Sequence, residues 1–455
     1  MTVNVTDTVG ANNTIVLDGN SKIPAIDGSQ VTALSATAFT TGTLATARID
    51  VGTTAGKVLQ LDGSARIPAL SGTNLTNVPG PTSSTSDPAQ DSNLTLGAKW
   101  INKTSGEVYI CTDATAGANV WTNVGAGSGN VAPLNPYQGS TYGYTSNGYS
   151  DSTAVGENNI IDRFAFASTS NASDVGNLTV ARWGGAGCSS QTYGYCSGGA
   201  HTAWPNYVDV NTIDKFQMVA TANASDVGDL TQVREPYGGT GCSSSTYGYI
   251  HGGQHYYGSP PTNRTVHNII DKFPFASDSN ATDVGDLTEV LMACAGVTGI
   301  THGYAAGGYT GSGRVNKIHK YSFSSDANAT DVGDLTVARN NCSGQASFSH
   351  GYVTGGYNGG NTNIMEKWSF ASDGNATDIG DMPAISSGVQ GGSGGTGISS
   401  ETEGWQVSGQ NSSTAQPHNE IWKFSFASDG NGTDTGAVIT WSQGQGRRSL
   451  AGHQV

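Results

Sequence analysis

The sequence predicts an all-β chain whose C-terminal two-thirds, from residue 141 to 455, folds as a six-bladed β-propeller. Three observations predict it. A phrase of the type "DSNATDVGDL" occurs six times, its "DVG"-type Asp falling at Asp174, Asp226, Asp283, Asp331, Asp378 and Asp434, at intervals of 47 to 57 residues. That interval suits one four-stranded blade. A Gly-aromatic pair (Gly143-Tyr144, Gly194-Tyr195, Gly248-Tyr249, Gly303-Tyr304, Gly351-Tyr352, Gly404-Trp405) stands five residues before a further Gly in every repeat. An aromatic (Phe164, Phe216, Phe273, Tyr321, Trp368, Phe424) stands ten residues before each Asp.

Fixed spacings of this kind are the frames of strands. Within "IDKFPF", Phe273 and Phe275 are two apart and share one strand face, and every repeat has such a wedge. One small sheet cannot bury a wedge alone, but stacking against neighbouring sheets around an axis covers both sides. The phrase itself reads as the turn after the third strand followed by the fourth. Asp and Asn bond their own backbone in turns, and Gly permits positive φ. Segments such as "ARNNCSGQASFSHGY" then supply the innermost strand of the next blade, where crowding favours Gly, Ser, Cys and Ala. No such segment precedes Gly143, whereas "GRRSLAGHQV" follows the sixth repeat, so Arg447 to Val455 is expected to complete the first blade and remove the free sheet edges.

The double Gly after a short apolar strand, the downstream aromatics and the Arg opening the next repeat resemble kelch repeats over about residues 140–455. The chain departs from them where kelch proteins carry a Trp after the turn and this one has the "DVG" phrase. No partner and no copper-oxidase constellation of Tyr, His and Cys carries over.

The N-terminal third has its own duplication. "LDGNSKIPAIDGSQVTAL" from Leu17 returns as "LDGSARIPALSGTNLTNV" from Leu61. Short Gly-punctuated strands with isolated apolar positions bury too little alone, and residues 1–80 resemble the shaft and attachment repeats of tailed-phage fibre proteins. The resemblance implies a homotrimer held to other virion proteins, of tail or capsid, through the N-terminus. Residues 93–124 resemble a small β-module of phage fibres, with Trp100, Tyr109 and Trp121 as its expected core. Residues 81–92 and 125–140 have linker composition.

With 20 Lys and Arg against 35 Asp and Glu, the chain lacks the basic surface that nucleic acid or an anionic membrane would attract, and neither is expected as a partner. There is no leader-like N-terminus and no apolar run of about 18 residues. The six Cys are scattered and never form CxxC, so buried free thiols are expected, consistent with assembly in a reducing cytoplasm before service on the virion. The repeated Asp278, Asn280, Asp283, Asp286 set offers oxygen ligands to calcium, but Asx turns explain it without metal, and no metal or cofactor is expected. The sequons at Asn171, Asn223, Asn280, Asn328, Asn375 and Asn431 are likewise read as turns.

Between the second and third strands the length varies while the frames on either side of that loop stay fixed, and loops on a rigid scaffold are where binding resides. These loops hold His201, Trp204 and Tyr207, then His255, Tyr256, Tyr257 and Arg264, with Tyr309 and Tyr357 directly after a "GG". Aromatic faces, amides and Arg suit a polar, ring-bearing ligand such as a glycan. The alternative is that the aromatics pack down their own loops. Asp151, Glu157 and Asp209 also lie in these loops but form no glycosidase motif, so no catalytic residue and no enzyme is expected. The reading is a phage fibre for host-surface adhesion; the alternatives are a purely structural fibre or decoration protein and a polysaccharide-degrading tailspike.

Overall fold

The computed structural model describes residues 80–124, 138–150, 156–201, 208–237, 239, 241–258, 261–384, 392–410, 417–440 and 446–455. The duplication at Leu17 and Leu61, with the shaft and trimerisation expected of residues 1–80, lies outside the described residues. Among those described the chain is all-β, with one 3-10 turn at Gln90–Ser92 and no α-helix.

A separate N-terminal module is one sheet running in chain order through Thr82–Ser84, Lys99–Asn102, Val108–Asp113 and Val120–Asn123. Alternation along its third strand brings Tyr109 and Cys111 to one face, where Trp121 seals them and the half-buried Trp100 meets Trp121 edge-on at 6.0 Å. Residues 81–92, expected as a linker, are tied to this unit. Lys103 N–H donates to Ser84 O, Trp100 Nε1–H to Ser86 O and Trp121 Nε1–H to Ala89 O. Ser, Asp and Pro serve capping turns as well as linkers, so composition does not separate the two.

Six further four-stranded sheets follow. Sheet 2 shows the pattern: Ala186–Ser189, Tyr193–His201, Val208–Gln217 and Ser225–Asp229, each antiparallel to the next. Sheets 3 to 6 repeat it over 241–286, 295–334, 343–381 and 396–438. Sheet 1 holds Tyr142–Ser146, Asn158–Ala165 and Ser173–Arg182, and its first strand is Ala451–Gln454, paired Ala451↔Ser146 to Gln454↔Gly143. The "DVG" phrase is the third-strand turn plus the fourth strand in each.

Each sheet packs on the next through the wedge. Tyr195 of sheet 2 stacks on Phe275 of sheet 3 at 4.9 Å, Tyr249 on Phe323 at 4.9 Å and Tyr304 on Phe370 at 5.0 Å, while Tyr352 meets Phe426 tilted at 4.9 Å. Trp405 of sheet 6 meets Phe166 of sheet 1 at 5.4 Å, and Tyr144 of sheet 1 meets Phe216 of sheet 2 at 6.0 Å. The Gly of each Gly-aromatic pair lies beneath the cross-strand aromatic, as Gly248 does under Phe273, where a Cβ would enter the ring. The first strands meet through Gly187, Gly241, Gly296, Gly344, Gly397 and Gly452: the space of each Cβ is taken by the neighbouring glycine's carbonyl, and Gly187 lies against Gly452. They line a cavity of about 50 Å³, room for a few waters.

The turn asparagines form a second set of ties. Asn280 Oδ1 accepts the N–H of Asp229 in the preceding sheet at 3.1 Å while Ala281 N–H donates to Asp229 O at 2.8 Å. The same two-point clip joins Asn223 to Asn177, Asn328 to Asp286, Asn375 to Asp334, Asn431 to Asp381, and Asn171 to Val438. Asp283 Oδ1 accepts Gly285 N–H, and Asp278 pairs with Lys215 at 2.8 Å, so the phrase is occupied by turn and inter-sheet bonds.

A third set is buried. Arg182 meets Asp214 at 2.8 Å and Arg234 meets Asp271 at 2.7 Å, while Arg339 meets Glu366 at 2.7 Å and Arg447 meets Asp162, all without solvent access. Thr231 donates its hydroxyl (2.6 Å) and N–H (3.1 Å) to Asp271, and Arg234 also donates to Ile250 O of the second strand. Sheet 4 has Leu291 and His319 at these two places, with Thr288 on His319 Nδ1 at 2.8 Å. All six Cys are buried and free.

Two outcomes follow from these buried groups. Arg234→Leu should destabilise the protein by about 3–5 kcal/mol, because Asp271 is left buried and unpaired. R234L/D271H, which copies sheet 4, should recover most of that in denaturant midpoints; a double variant no better than R234L would show that the pairing is not the reason. His453 donates Nδ1–H to Cys188 O at 3.1 Å, so its Nε2 accepts the Ser146 hydroxyl at 2.9 Å, and burial pushes its pKa down to about 4. An unfolded imidazole titrates near ~6.5. Between those values the unfolded chain takes up a proton that the folded one refuses, so this contribution is lost as pH falls from about 6.5 to about 4. H453Q should flatten the stability profile in that window by roughly 1.4 kcal/mol per pH unit, read from unfolding midpoints at each pH.

Candidate functional site

Strand direction alternates, so the two ends of the sheets are different. Gln138 lies at the end where first strands turn into second strands: its Nε2 donates to Ala346 O and Ser400 O at 3.0 Å, and Gly139 N–H donates to Ser399 O. The Asp/Asn turns share that end. The length-variable loops and the connections between sheets lie at the other, joined by the backbone bridges Tyr149↔Arg448, Trp183↔Ala200, Glu235↔Gln254, Met292↔Tyr309, Asn340↔Tyr357 and Ser393↔Gln410.

The longest variable loop, in sheet 3, folds back as a hairpin of Gln254–Gly258 and Pro261–Val266. Alternation gives His255 and Tyr257 one face, their rings stacked at 6.0 Å, and gives Tyr256 the other, where it is the cross-strand partner of Arg264. The hairpin is held to sheet 2 by Asp209. Its Oδ2 accepts His255 Nδ1–H at 2.9 Å and Tyr256 N–H at 2.8 Å, while burial raises the carboxyl's pKa. On the opposite side Arg264 lies 5.6 Å over the ring of Tyr309 and donates Nη2–H to Gly311 O at 3.3 Å.

The arrangement recurs one sheet on. Arg314 lies 4.5 Å over Tyr357, donates Nε–H to Asn340 Oδ1 at 3.1 Å, and bridges Tyr309 through its backbone. Arg264, Tyr309, Arg314 and Tyr357 therefore stand side by side across sheets 3, 4 and 5. Of the residues singled out from the sequence, the structure unites His255, Tyr256, Tyr257 and Arg264 on one hairpin, with Tyr309 and Tyr357 beside it. His201 ends the second strand of sheet 2, half-buried, and pairs through its backbone with Val208. Trp204 and Tyr207 lie outside the described residues.

Sequence reasoning missed Arg314, although it precedes Tyr357 by nearly the interval that separates Arg264 from Tyr309, 43 against 45 residues. It also missed an aromatic arc on the inter-sheet connections, where length does not vary in step with the loops. Arg448 lies 5.3 Å over Tyr149, Tyr149 meets Trp183 at 5.8 Å and Trp183 meets Tyr237 at 5.7 Å. Tyr237 has φ +70, a conformation that Gly184 and Gly394 adopt without cost in their own connections. Beneath the arc Glu235 is fully buried. Gln254 Nε2–H donates to its Oε2 at 2.9 Å, and desolvation drives its pKa well above the ordinary carboxyl value.

Among the described residues no group of three or more His, Cys, Asp or Glu could hold a metal ion. No family model matches this chain, and no curated protein matches it.

Asp209 of sheet 2 accepts both a side-chain and a main-chain N–H of the hairpin. Asp209→Ala should therefore make the hairpin a site of rapid limited proteolysis, mapped by mass spectrometry, while the global unfolding midpoint moves by about 1 kcal/mol or less. Unchanged cleavage would show that the hairpin is held by other contacts.

Proposed function

We propose that the six sheets are the blades of one closed, kelch-like propeller, and that the chain is a phage fibre protein whose propeller adheres to the host surface through its variable loops. Closure is supported by the glycine contact of Gly187 with Gly452, the Asn171 clip onto Val438, the Trp405–Phe166 packing and the pairing of Ala451–Gln454 with Tyr142–Ser146. The observation that carries adhesion is the polarity of the sheets. The chain arrives through Gln138 at one end, and the aromatic and cationic side chains of the variable loops stand at the other, away from the tether.

In this reading the N-terminal repeats trimerise and attach to the virion, and each head binds weakly. Three heads on one fibre, and several fibres on one particle, multiply that binding by effective concentration. The mechanism is non-covalent: ring faces pack on the CH surface of a sugar while Arg, Asn and Tyr groups bond its hydroxyls at the edge. A purely architectural fibre tip is the second reading, and a polysaccharide-cleaving tailspike the third.

A cell-binding assay separates them. Fluorescently labelled full-length protein, incubated with a panel of bacterial strains, should decorate at least one strain, and W204A/Y256A/Y257A should lose about tenfold or more of the bound signal. An architectural tip binds none. A tailspike shortens the surface polysaccharide, visible on a sizing gel.

A further inference from the structure

We propose that the shelf formed by Arg264, Tyr309, Arg314 and Tyr357 is a subsite for a carboxylated acidic saccharide, each guanidinium receiving one carboxylate of the glycan. The proposal rests on the adhesion reading and adds the ligand's chemical class.

The first ground is the use of cations elsewhere in the sheets. Lys215, Lys272, Lys320 and Lys367 each pair with an Asp of the next sheet's turn, and Lys317 and Lys423 pair with Glu289 and Glu403. Four arginines are buried against carboxylates. In a chain with 35 acidic and 20 basic residues, a guanidinium can readily find a carboxylate. Arg264 and Arg314 have none among the described residues; Arg163, over Tyr142 at the turn end, has none either, but only Arg264 and Arg314 stand as neighbours on the end of the sheets that carries the variable loops.

The second ground is that both are held in place. Each rests on a Tyr face, which fixes the plane of the guanidinium. Each donates only one N–H in the described bonds, Arg264 to Gly311 O and Arg314 to Asn340 Oδ1. The remaining N–H edge of a planar fork is the group that binds a carboxylate in bidentate fashion. Both are anchored to the short loop 309–314, Arg264 through Gly311 and Arg314 through its bridge to Tyr309, so they sit as neighbours that one chain of sugars can span. The Tyr rings beside them supply the apolar surface on which a pyranose packs.

The net negative charge does not cancel this. The Asp-rich turns lie at the far end of strands of about five residues or more, roughly 17 Å away at ~3.3 Å per residue. Physiological salt screens exposed charges beyond about 8 Å. Local geometry, more than the field of the whole chain, decides what the shelf accepts.

The test uses the full-length protein and defined probes: oligogalacturonate as the carboxylated saccharide, a sulfated heparin oligosaccharide, and neutral dextran fragments, measured by biolayer interferometry. Binding should favour the carboxylated probe over dextran by about tenfold and weaken when NaCl rises from about 50 to about 500 mM. R264Q/R314Q should lose that preference, while R264K/R314K, keeping charge without the fork, should recover part of it. Preference for the sulfated probe over the carboxylated one, equal binding of dextran, no binding of any probe at millimolar concentration, or an unaffected R264Q/R314Q variant would overturn the proposal. Cell decoration that persists in R264Q/R314Q would reject the acidic-saccharide site and leave adhesion standing; absence of decoration by the wild type would count against adhesion, with the probe measurements still deciding the site.

Discussion

A guanidinium shut away from water requires a carboxylate, and four of the six sheets obey that rule in the same way. At an effective dielectric near 20 the attraction of such a pair is worth roughly 4 kcal/mol, comparable to the several kcal/mol lost when each ion is dehydrated. The pairs therefore add little net stability; what they fix is position. Arg234 comes from an inter-sheet connection, binds Asp271 on the third strand and reaches Ile250 O on the second, so one side chain sets the three segments from which the loop end of the sheet is built. Where the rule is relaxed, both partners change. Sheet 4 has Leu291 and His319, and sheet 6 has Trp422 in place of the carboxylate with no Arg anywhere between Asp381 and Glu403. Among the described residues neither sheet buries a lone charge at these two places.

Much of the fold was legible because it is written six times. The Gly-aromatic frame, the wedge two residues long and the turn phrase each recur at fixed spacing, and each corresponds to one contact that every sheet must make with the next. The C-terminal strand was legible for the complementary reason, as a surplus that only the first sheet could use. The first module was less so: Ser84, Ser86 and Ala89 serve it through main-chain carbonyls, which leave no trace in side-chain identity. The candidate site was read in half. Length variation marked His255, Tyr256, Tyr257 and Arg264, but Arg314, Tyr149, Trp183 and Tyr237 owe their places to neighbouring repeats, and a contact between repeats has no signature within either one.

The loop end and the turn end divide the labour of the sheets. At the turn end, asparagine clips and Lys–Asp pairs join neighbour to neighbour with short polar groups that tolerate little change. At the loop end the ties are the buried arginines and the bridges that follow the last Gly of each second-strand frame, and the side chains above them are free to differ. This is why a hairpin can be inserted in sheet 3 without disturbing Ile250 or Ile270 below it, both fully buried. Variation is concentrated in groups that lie above the buried ties.

The first strand of sheet 1 being Ala451–Gln454 has a consequence for biosynthesis. While the ribosome is still translating, Tyr142–Ser146 is already outside the exit tunnel with one edge unfilled, and it stays so for the time needed to make some three hundred more residues. At elongation rates of up to about 20 residues per second, that is on the order of 15 s. Nascent chains on one polysome thus expose the same vacant edge to each other, open to pairing between molecules, until Ala451–Gln454 has been made.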